Sequence, residues 1–438
     1  MSNIQNSSYI LKILDGREVW VGGQKIDSSS YLALFGEELN RISELLDGRL
    51  ESDSLPRTGQ KFFHYVPLQI PKTAKELEKQ KYHLSYWFAE DPFFSEGWTD
   101  LAHAFLQGWL INRKNLDANF TEFSKLIARL VEAFKQEKLL VTIPYVLGLP
   151  QSVHHSSLKV TNLTDKGIFI QGTQKLPSDS LVVHELLTTA SYQETEVLLI
   201  APLNSEGLSL HIQEGNFDHT VTARFEDVFI QWDRILAQDK PENISQLFHS
   251  NLATAYPDYQ RVASLLHQLE WITGLAFYAA QETGENEKLH IQESFGELLQ
   301  QLDIIKAYLH VSEIKAENAA EGVVPNLFPL QTAKSQGIAF YKRAVDIIQR
   351  VGGNRLLQHL YEVENGEADQ LYSFISKYGA SSSTLRRLQY LTYYSGDPEQ
   401  VWVEYYKEYS TNFLKNRLQD FWDFHETGDL YAALPKIT

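Results

Sequence analysis

A tight turn near the C-terminus carries residue types that can bind an anion. Residues 391–401 read LTYYSGDPEQV, and Pro398 is suited to begin a helix directly after the turn at Ser395, Gly396 and Asp397. The free backbone N–H groups of such a helix start could hold an anion or a ring carbonyl. Asp397 could equally be an ordinary N-cap, because its carboxylate accepts the same N–H groups.

A glycine pair follows an apolar helical stretch. Gly352 and Gly353 come directly after Val351 and are typical of a helix C-cap. Glycine also allows a backbone to approach a ligand closely, because it has no side chain. The pair is therefore predicted first as a helix end and second as a ligand contact.

Several other chemical signatures are missing from the sequence. It has no GxxxxGK[ST], HExxH or GxSxG segment, and no glycine-rich dinucleotide loop follows a strand. His154 and His155 are adjacent, so on an extended segment they would point to opposite faces; we predict no metal site. The absence of cysteine excludes disulfides, cysteine nucleophiles, thiolate zinc sites and cysteine-held iron–sulfur clusters. Any redox chemistry must use a bound cofactor.

The composition describes a folded, acidic chain. Its 438 residues exceed what one hydrophobic core usually serves, so we expect several domains. The net charge of −17 disfavours nucleic acid and anionic membranes as partners. No apolar run approaches the roughly 18 residues of a membrane span, and the N-terminus lacks a secretion signal. We therefore expect a cytoplasmic protein.

The elements that must position these groups fall into three regions. Residues 1–138 show apolar residues at helical spacing, in 32–46, 101–110 and 120–134. Residues 139–240 contain short runs with a period of two, separated by turns, as in a small antiparallel barrel or sandwich. These runs are KLLVTI, LKVTNL, GIFIQG, VLLIAP and TVTARF.

Residues 241–438 return to helical spacing. Four long helices are predicted, over 259–281, 288–321, 330–351 and 401–424. Each combines an apolar stripe with a charged face, which is typical of an antiparallel bundle. The sequence thus predicts a multidomain α+β protein.

Several motifs, in chain order, resemble the 4-hydroxyphenylacetate 3-monooxygenase family. DGREVWVGGQKI at 15–26 is similar to the family's opening DGR segment, and FEDVFIQWDRIL at 225–236 is similar to its F-D-D-V-x-V-P-W-E-R-V-F. HIQESFGELL, IIQRVGGNRLL and YYSGDPEQV then follow in the family's order. The resemblance implies an acyl-CoA dehydrogenase-like architecture, with an N-terminal helical domain, a central antiparallel β-barrel and a C-terminal four-helix bundle.

The resemblance also implies a cofactor. FAD, supplied as FADH2 by a separate flavin reductase, would bind between the β-domain and the bundle. Residues around 145–147 and 151–154, one serine of the β-domain and the SGDP turn would hold the isoalloxazine, and the glycine pair would approach the nucleotide end. The implied cofactor-binding residues are Val146, Leu147, Gln151, Ser152, Val153, His154, Ser178, Gly352, Gly353, Ser395, Gly396, Asp397 and Pro398.

The chain departs from the family where the family binds its phenol. Members carry an Arg and a Tyr in an RSPDY-like segment, and a His before a Pro-Gln pair. Depending on the alignment, the Tyr position holds Leu101 or Phe94 and the His position holds Tyr145 or Ile143, while the Arg is lost in both alignments. The base and the cation that would activate a phenol are therefore missing at those positions.

Tyr145 and His103 are the candidate catalytic residues. Tyr145 could hydrogen-bond a substrate oxygen, and His103 lies one helical step from the altered segment. Candidate substrate contacts are Phe94, Leu101, Tyr192 and Gln193. For each of these residues, ordinary packing is the alternative interpretation.

We therefore predict an FADH2-dependent monooxygenase that uses O2 to oxidise a small aromatic or nitrogen-containing intermediate of specialised metabolism, free or carrier-bound. The alternatives are a flavin-dependent dehydrogenase or oxidase of the same fold, and a flavin-free binding protein on this scaffold. The related 4-hydroxybutyryl-CoA dehydratase branch needs cysteine ligands and is excluded. The resemblance also implies a homodimer or homotetramer.

Overall fold

Along the chain, the fold has a first set of helices, then most strands of a sheet, and then a second set of helices. We describe it from a computed structural model, in which the described residues are 7–47, 50–51, 62–63, 68–87, 98–116, 120, 122–144, 157–212, 221–249, 251–364, 370–381, 384–385, 388, 391, 402–403, 405–407, 409 and 411–427. The helices before the main part of the sheet are α1 (Ser8–Ile13), α2 (Ser28–Asp47), α3 (Ala74–Trp87), α4 (Trp98–Ile111), α5 (Arg113–Leu116) and α6 (Phe123–Glu137). The helical segments predicted within 32–46, 101–110 and 120–134 are thereby confirmed in outline.

Aromatic packing joins α4, α6 and a later helix. The fully buried Trp109 ring lies edge-on to Phe123 and Phe248, with centroids 5.9 and 5.3 Å away. Its Nε1 donates to the carbonyl of Leu247 at 2.6 Å, so the one polar atom of the indole is satisfied. These three rings therefore pack the helices together.

The sheet has ten strands in the order β12-β9-β8-β6-β7-β11-β10-β1-β2, with β5 beside β8. Two short antiparallel strand pairs, β3–β4 and β13–β14, stand apart from it. The strands are β1 (Glu18–Val21), β2 (Gln24–Lys25), β3 (Leu50–Glu51), β4 (Phe62–Phe63), β5 (Val141–Thr142), β6 (Leu158–Leu163), β7 (Gly167–Leu176), β8 (Glu185–Tyr192), β9 (Thr195–Pro202), β10 (Leu208–Ile212), β11 (Val221–Gln231), β12 (Ile235–Asp239), β13 (Glu317–Ala319) and β14 (Gly322–Val324). All five runs predicted from the period of two contribute strands.

The expected closed antiparallel barrel is wrong, because the sheet formed by the described residues is open and mixed. Its edge strands are β2, which is two residues long, and β12, against which α6 and α7 (Pro241–His249) pack. Closure would require these two edges to pair with a matching tilt and stagger. Most strand pairs are antiparallel, but β1 runs parallel to β10, and β5 and β6 run parallel to β8. The first region of the chain thus contributes β1 and β2 to the central sheet.

Three long helices pack together after the sheet. They are α8 (Asn251–Glu282), α9 (Leu289–Ile314) and α10 (Leu327–Glu364). The helix predicted from 259 begins eight residues earlier and contains Pro257 near its start, and the helix predicted to reach 321 ends at Ile314, where the β13–β14 hairpin follows. Of the helix predicted at 401–424, the structure describes α12 (Asn412–Thr427), after α11 (Gln370–Gly379).

Charged side chains are buried between these helices. Asp258 is 1% exposed and lies 2.7 Å from Lys334 Nζ and 3.0 Å from an Arg261 nitrogen. Glu313, on α9, lies 2.9 Å from Lys81 Nζ of α3. Because a buried charge without a partner is costly, these pairs fix which helix faces meet. Among the described helices, none is long and apolar enough to cross a membrane.

Candidate functional site

Two buried histidines hold the start of β5, which leads directly into the predicted flavin segment. Nε2 of His103 accepts the backbone N–H of Val141 at 3.2 Å. Nδ1 of His184 accepts the backbone N–H of Leu140, also at 3.2 Å. The Leu140 carbonyl in turn accepts the N–H groups of His184 and Glu185. Successive residues at the start of β5 are therefore fixed by side chains from α4 and from the segment before β8.

Both imidazoles are neutral at physiological pH. Burial lowers the pKa of His103 to about 3. Burial, followed by the charges of Arg17 and Lys12, lowers the pKa of His184 to about 3. A nitrogen that accepts a hydrogen bond carries no proton, so the protons lie on Nδ1 of His103 and Nε2 of His184. The buried Nε2 of His184 has no hydrogen-bond partner among the described residues.

His103 is fully buried on α4, and its Nε2 is engaged by the backbone of Val141. A general acid or base needs a nitrogen within reach of its substrate, and this nitrogen is occupied. The geometry therefore favours a positioning role for His103. Its catalytic role stays a prediction.

A 3-10 turn (Ser178–Leu181) is tied to β5 by a buried side-chain pair. The Thr142 hydroxyl donates to the Asp179 carboxylate at 2.8 Å, and both residues are buried. The turn is closed from within, because Ser180 donates its hydroxyl and its N–H to the Pro177 carbonyl. Ser178, predicted to contact the flavin, is the half-buried first residue of this turn. The structure thus brings Ser178 and β5 into one hydrogen-bonded unit.

Two tyrosines from the N-terminal region bind the far end of this turn. The Tyr9 hydroxyl donates to the Val182 carbonyl, and the Tyr31 hydroxyl donates to the Leu181 carbonyl. Burial raises the pKa of Tyr31 to about 12 and that of Tyr9 well above its ordinary value. Both phenols therefore remain donors throughout the physiological pH range.

An arginine from the same region binds neighbouring carbonyls. Arg17 donates to the carbonyl of Val183 at 2.7 Å and, more weakly, to that of Leu181 at 3.4 Å. The other two guanidinium nitrogens donate to the two carboxylate oxygens of Asp15, each at 3.0 Å. These residues belong to the DGR motif, but the sequence did not show where its side chains would point.

Gly353 interrupts α10 without ending it. Its backbone angles, φ +47° and ψ −142°, are not helical. Helical residues lie on both sides of it, from Leu327 before it to Glu364 after it. A Cβ atom added at Gly353 would meet nothing within 4 Å. The helix end predicted at the glycine pair is present as a break between two helical segments, with open space beside an exposed backbone. Gly352, next to it, is buried.

The predicted substrate contacts lie on two separate elements. Leu101 is 2% exposed within α4. Tyr192 and Gln193 stand at the hairpin between β8 and β9, where Tyr192 pairs with Thr195 and Gln193 has a φ of +53°. Tyr192 is half-buried and Gln193 is exposed. Their substrate roles stay predictions.

A cleft of about 580 Å³ lies between α5, the β13–β14 hairpin and the start of α10. Across it, an Arg113 nitrogen lies 2.6 Å from a Glu321 carboxylate oxygen. Its lining includes none of the predicted site residues. The described part of the chain contains no group of three or more His, Asp or Glu side chains that could hold a metal ion.

The other predicted site residues lie outside the described residues. They are Phe94, Tyr145, Val146, Leu147, Gln151, Ser152, Val153, His154, Ser395, Gly396, Asp397 and Pro398. Their assignment to substrate, catalysis or flavin remains a prediction.

Both halves of the chain match models of one protein family. Residues 5–237 match "4-hydroxyphenylacetate 3-hydroxylase N terminal", and residues 244–359 match "4-hydroxyphenylacetate 3-hydroxylase C terminal". The chain belongs to the 4-hydroxyphenylacetate 3-hydroxylase family. The family resemblance given by the motifs is confirmed, and with it the prediction of an enzyme of this family. The matched ranges of this hydroxylase-family chain include β5, the Ser178 turn and Gly353.

Curated relatives of this hydroxylase-family chain are distant but match along most of their length. The 4-hydroxyphenylacetate 3-monooxygenase oxygenase component of Thermus thermophilus is 21% identical, with 92% of this chain and 94% of that protein covered. A probable 4-hydroxyphenylacetate 3-monooxygenase of Bacillus subtilis is 21% identical, with 80% and 83% covered.

A solved structure of the family supports the fold. It is the oxygenase component of 4-hydroxyphenylacetate 3-monooxygenase complexed with FAD, with a TM-score of 0.76 and 18% identity over 96% of this chain and 98% of that one. The shared fold supports the predicted order of an N-terminal helical region, a central sheet and a C-terminal helical region, with an open sheet in place of the closed barrel. That solved relative binds FAD.

Proposed function

We propose that this chain is the oxygenase component of a two-component, FADH2-dependent monooxygenase. The observation that carries the proposal is the family match across both halves of the chain. Reduced FAD, when bound, supplies the electrons that activate dioxygen for oxidation of the substrate. A separate flavin reductase supplies the FADH2 in this proposal.

The described residues that fit FAD lie on both sides of the proposed site. Ser178 offers a hydroxyl on a turn that Asp179 ties to β5. At Gly353 the positive φ and the open space beside the backbone suit the close approach of a nucleotide. Ser178, Gly352 and Gly353 would hold the cofactor there. The residues at 146–147, 151–154 and 395–398 complete the proposed set.

The work of this chain's own side chains is to fix the protein around the cofactor. Three side chains bind the start of β5: His184 at Leu140, His103 at Val141, and Asp179 at Thr142. Because all of these atoms are buried, water does not compete for the bonds. We propose that this rigid start orients the following segment, in which Tyr145 would hydrogen-bond a substrate oxygen.

The substrate we propose is a small aromatic or specialised-metabolism intermediate, free or carrier-bound, that needs no deprotonation by an Arg–His pair. The family's Arg and His are replaced in this sequence. Leu101, which takes the family's Tyr position in one alignment, is buried in α4 and adds apolar surface only. Apolar surface with few polar anchors favours a substrate recognised mainly by its shape.

We also propose a homodimer or homotetramer. Large apolar side chains are exposed on α9 and α12, among them Leu289 at 82%, Ile314 at 65% and Phe413 at 55%. On α12 the exposed apolar side chains Phe413, Leu414 and Leu418 lie within two helical turns of one another, and a contiguous exposed apolar patch is typical of protein interfaces. Light scattering coupled to size-exclusion chromatography tests this directly, and a monomer at micromolar concentration would contradict it.

Anaerobic titration of the protein with reduced FAD tests the function, with reduced FMN as the comparison. We expect saturable binding of reduced FAD and weaker binding of reduced FMN. With a flavin reductase, NADH and ¹⁸O₂, a panel of small aromatic compounds should yield a product that carries ¹⁸O. Binding of FAD with substrate oxidation but no ¹⁸O in any product would instead favour a dehydrogenase or oxidase. Failure to bind either flavin would overturn the proposal.

A further inference from the structure

The carbonyl groups of residues 181–183 receive their hydrogen bonds from a distant part of the chain. The donors are Tyr9, Arg17 and Tyr31, which lie 150 to 173 residues away along the chain. We call these three donors together with Asp15 the N-terminal clamp. A buried carbonyl group without a partner is costly, so the clamp determines where residues 181–183 can lie.

Arg17 is the member of the clamp with the most specific geometry. Its side chain is 3% exposed and that of Asp15 is 14% exposed, so the pair is largely removed from water. Asp15 binds two of the three guanidinium nitrogens and thereby aims the third at the Val183 carbonyl, 2.7 Å away. Burial alone would lower the pKa of Arg17, but the hydrogen bond to Asp15 and nearby charges raise it, so the side chain stays charged. A planar, charged fork of this kind fixes direction as well as distance.

The clamp acts on the turn that carries the proposed flavin contact. Leu181, which Arg17 and Tyr31 bind, is the last residue of the 3-10 turn, and Ser178 is its first. Inside the turn, Asp179 binds Thr142 of β5 at 2.8 Å. Displacement of residues 181–183 would therefore move Ser178 and the start of β5 together.

We propose that Arg17, aimed by Asp15, is a positioning residue for FAD, because it holds the turn that carries Ser178 in place relative to β5. This inference rests on the proposed function. Arg17 touches neither the flavin nor the substrate in this scheme. The competing explanation is that Arg17 contributes only to overall stability, as any buried ion pair can.

The experiment measures the affinity for reduced FAD of the full-length wild type and of four variants, at a temperature where circular dichroism shows each to be folded. Arg17→Met removes the guanidinium, and Arg17→Lys keeps the charge but loses the fork. Thr142→Val, which is nearly isosteric, cuts the link between the turn and β5 without touching a charge. Arg261→Met is the matched control, because Arg261 is also a largely buried arginine, 14% exposed and paired with Asp258 in the bundle.

If Arg17 positions the flavin, Arg17→Met weakens FAD binding by about ten- to a hundredfold, the size of effect seen when a partner that orients a ligand-holding group is removed. Arg17→Lys and Thr142→Val should fall between Arg17→Met and the wild type. Arg261→Met should lower the melting temperature but leave the affinity within about twofold of the wild type. In flavin-free protein, hydrogen exchange at residues 177–184 should increase in Arg17→Met and not in Arg261→Met.

Two results would overturn the inference, and they differ from each other. If the wild type binds FAD and Arg17→Met binds it equally well despite a lower melting temperature, Arg17 is only structural and the proposed function stands. If the wild type binds no reduced FAD, the proposed function fails and the inference falls with it. Should Arg17→Met not fold, Arg17→Lys and Thr142→Val decide the question by the same affinity measurement.

Discussion

The two buried histidines and the buried Arg17 on the sheet side of the molecule have a different kind of partner from the buried carboxylates Asp258 and Glu313 of the helical bundle. On the sheet side, His103, His184 and Arg17 bind backbone groups of distant residues. In the bundle, Asp258 and Glu313 bind other side chains. A bond to the backbone fixes the path of the chain itself, whereas a pair of side chains fixes only how two helices approach.

This difference fits the proposed division of labour around FAD. The contacts expected from the sheet side come from a short turn and a loop entry, which have no helix to keep them in shape, so side chains must do so. The contact expected from the bundle is a break at Gly353, whose flanking segments are held in shape by their own helical hydrogen bonds. Substitutions on the sheet side should therefore lower both the affinity for FAD and the free energy of unfolding. Substitutions in the bundle core should lower only the free energy of unfolding.

Acidification should cause the largest loss of free energy of unfolding, and it should do so through His103 and His184 on the sheet side. His103 and His184 have a pKa near 3 when folded, well below the ordinary value, so the unfolded chain binds more protons between these limits. The two histidines therefore cost little stability above about pH 6.5, and their cost grows as the pH drops toward 3. Between pH 7 and pH 5 each histidine should cost about 2 kcal/mol.

Urea unfolding at pH 7, 6 and 5 checks this for the wild type and for the double variant His103→Gln/His184→Gln. The glutamine oxygens can still accept the N–H groups of β5, but they do not titrate. The double variant should therefore lose about 4 kcal/mol less between pH 7 and pH 5. An unchanged pH dependence would show that the two imidazoles are not held neutral in the folded protein.

Asp258→Asn tests the bundle by removing a buried carboxylate. Asn has nearly the same shape but leaves Lys334 and Arg261 without their buried carboxylate, which should cost about 3 kcal/mol in a urea titration at pH 7. Glu297→Gln is the control, because its ion pair with Arg343 is partly exposed and should matter by about 1 kcal/mol or less. The affinity for reduced FAD should not change in either variant. A large loss of FAD affinity in Asp258→Asn would show that the bundle core also positions the flavin, and would contradict the distinction between the two regions.

Gly353→Ala gives the smallest expected change in stability and the sharpest comparison. Its positive φ makes any side chain unfavourable by about 1 kcal/mol, although the space beside it is open. Gly284→Ala is matched in both respects, with a φ of +69° and nothing within 4 Å, but it lies just beyond the end of α8. Only Gly353→Ala should weaken FAD binding. Equal affinities in the two variants would remove Gly353 from the proposed site.

Much of the fold could be predicted because strands and helices have different apolar periods. The run KLLVTI becomes β5, and LKVTNL becomes β6. Closure of the sheet could not be predicted, because alternation reports only that a strand has a buried face and not which edges pair. The β13–β14 hairpin was hidden within a predicted helix, since strands of three residues are too short to establish a period.

The site was less accessible to sequence reasoning than the fold. Ser178 and Gly353 were predicted as flavin contacts from the family resemblance, and that role stays a prediction, whereas His184 and Asp179 belong to no motif and gain meaning only from what they contact. Arg17 stood in the DGR motif, yet its partners other than Asp15 lie about 165 residues away and are backbone groups, which leave no signature in the sequence. Backbone partners of this kind become visible only in three dimensions.

The pairing of β1 with β10 has a consequence for synthesis of the chain on the ribosome. Val21 pairs with Ile212, so the N-terminal strand has no neighbour on that side until nearly two hundred further residues have been made. At about 5–20 residues per second this takes on the order of 10 to 40 seconds. During that time the DGR segment lacks its partners at residues 181–183, and β1 can pair with β10 only after nearly half of the 438 residues have been made.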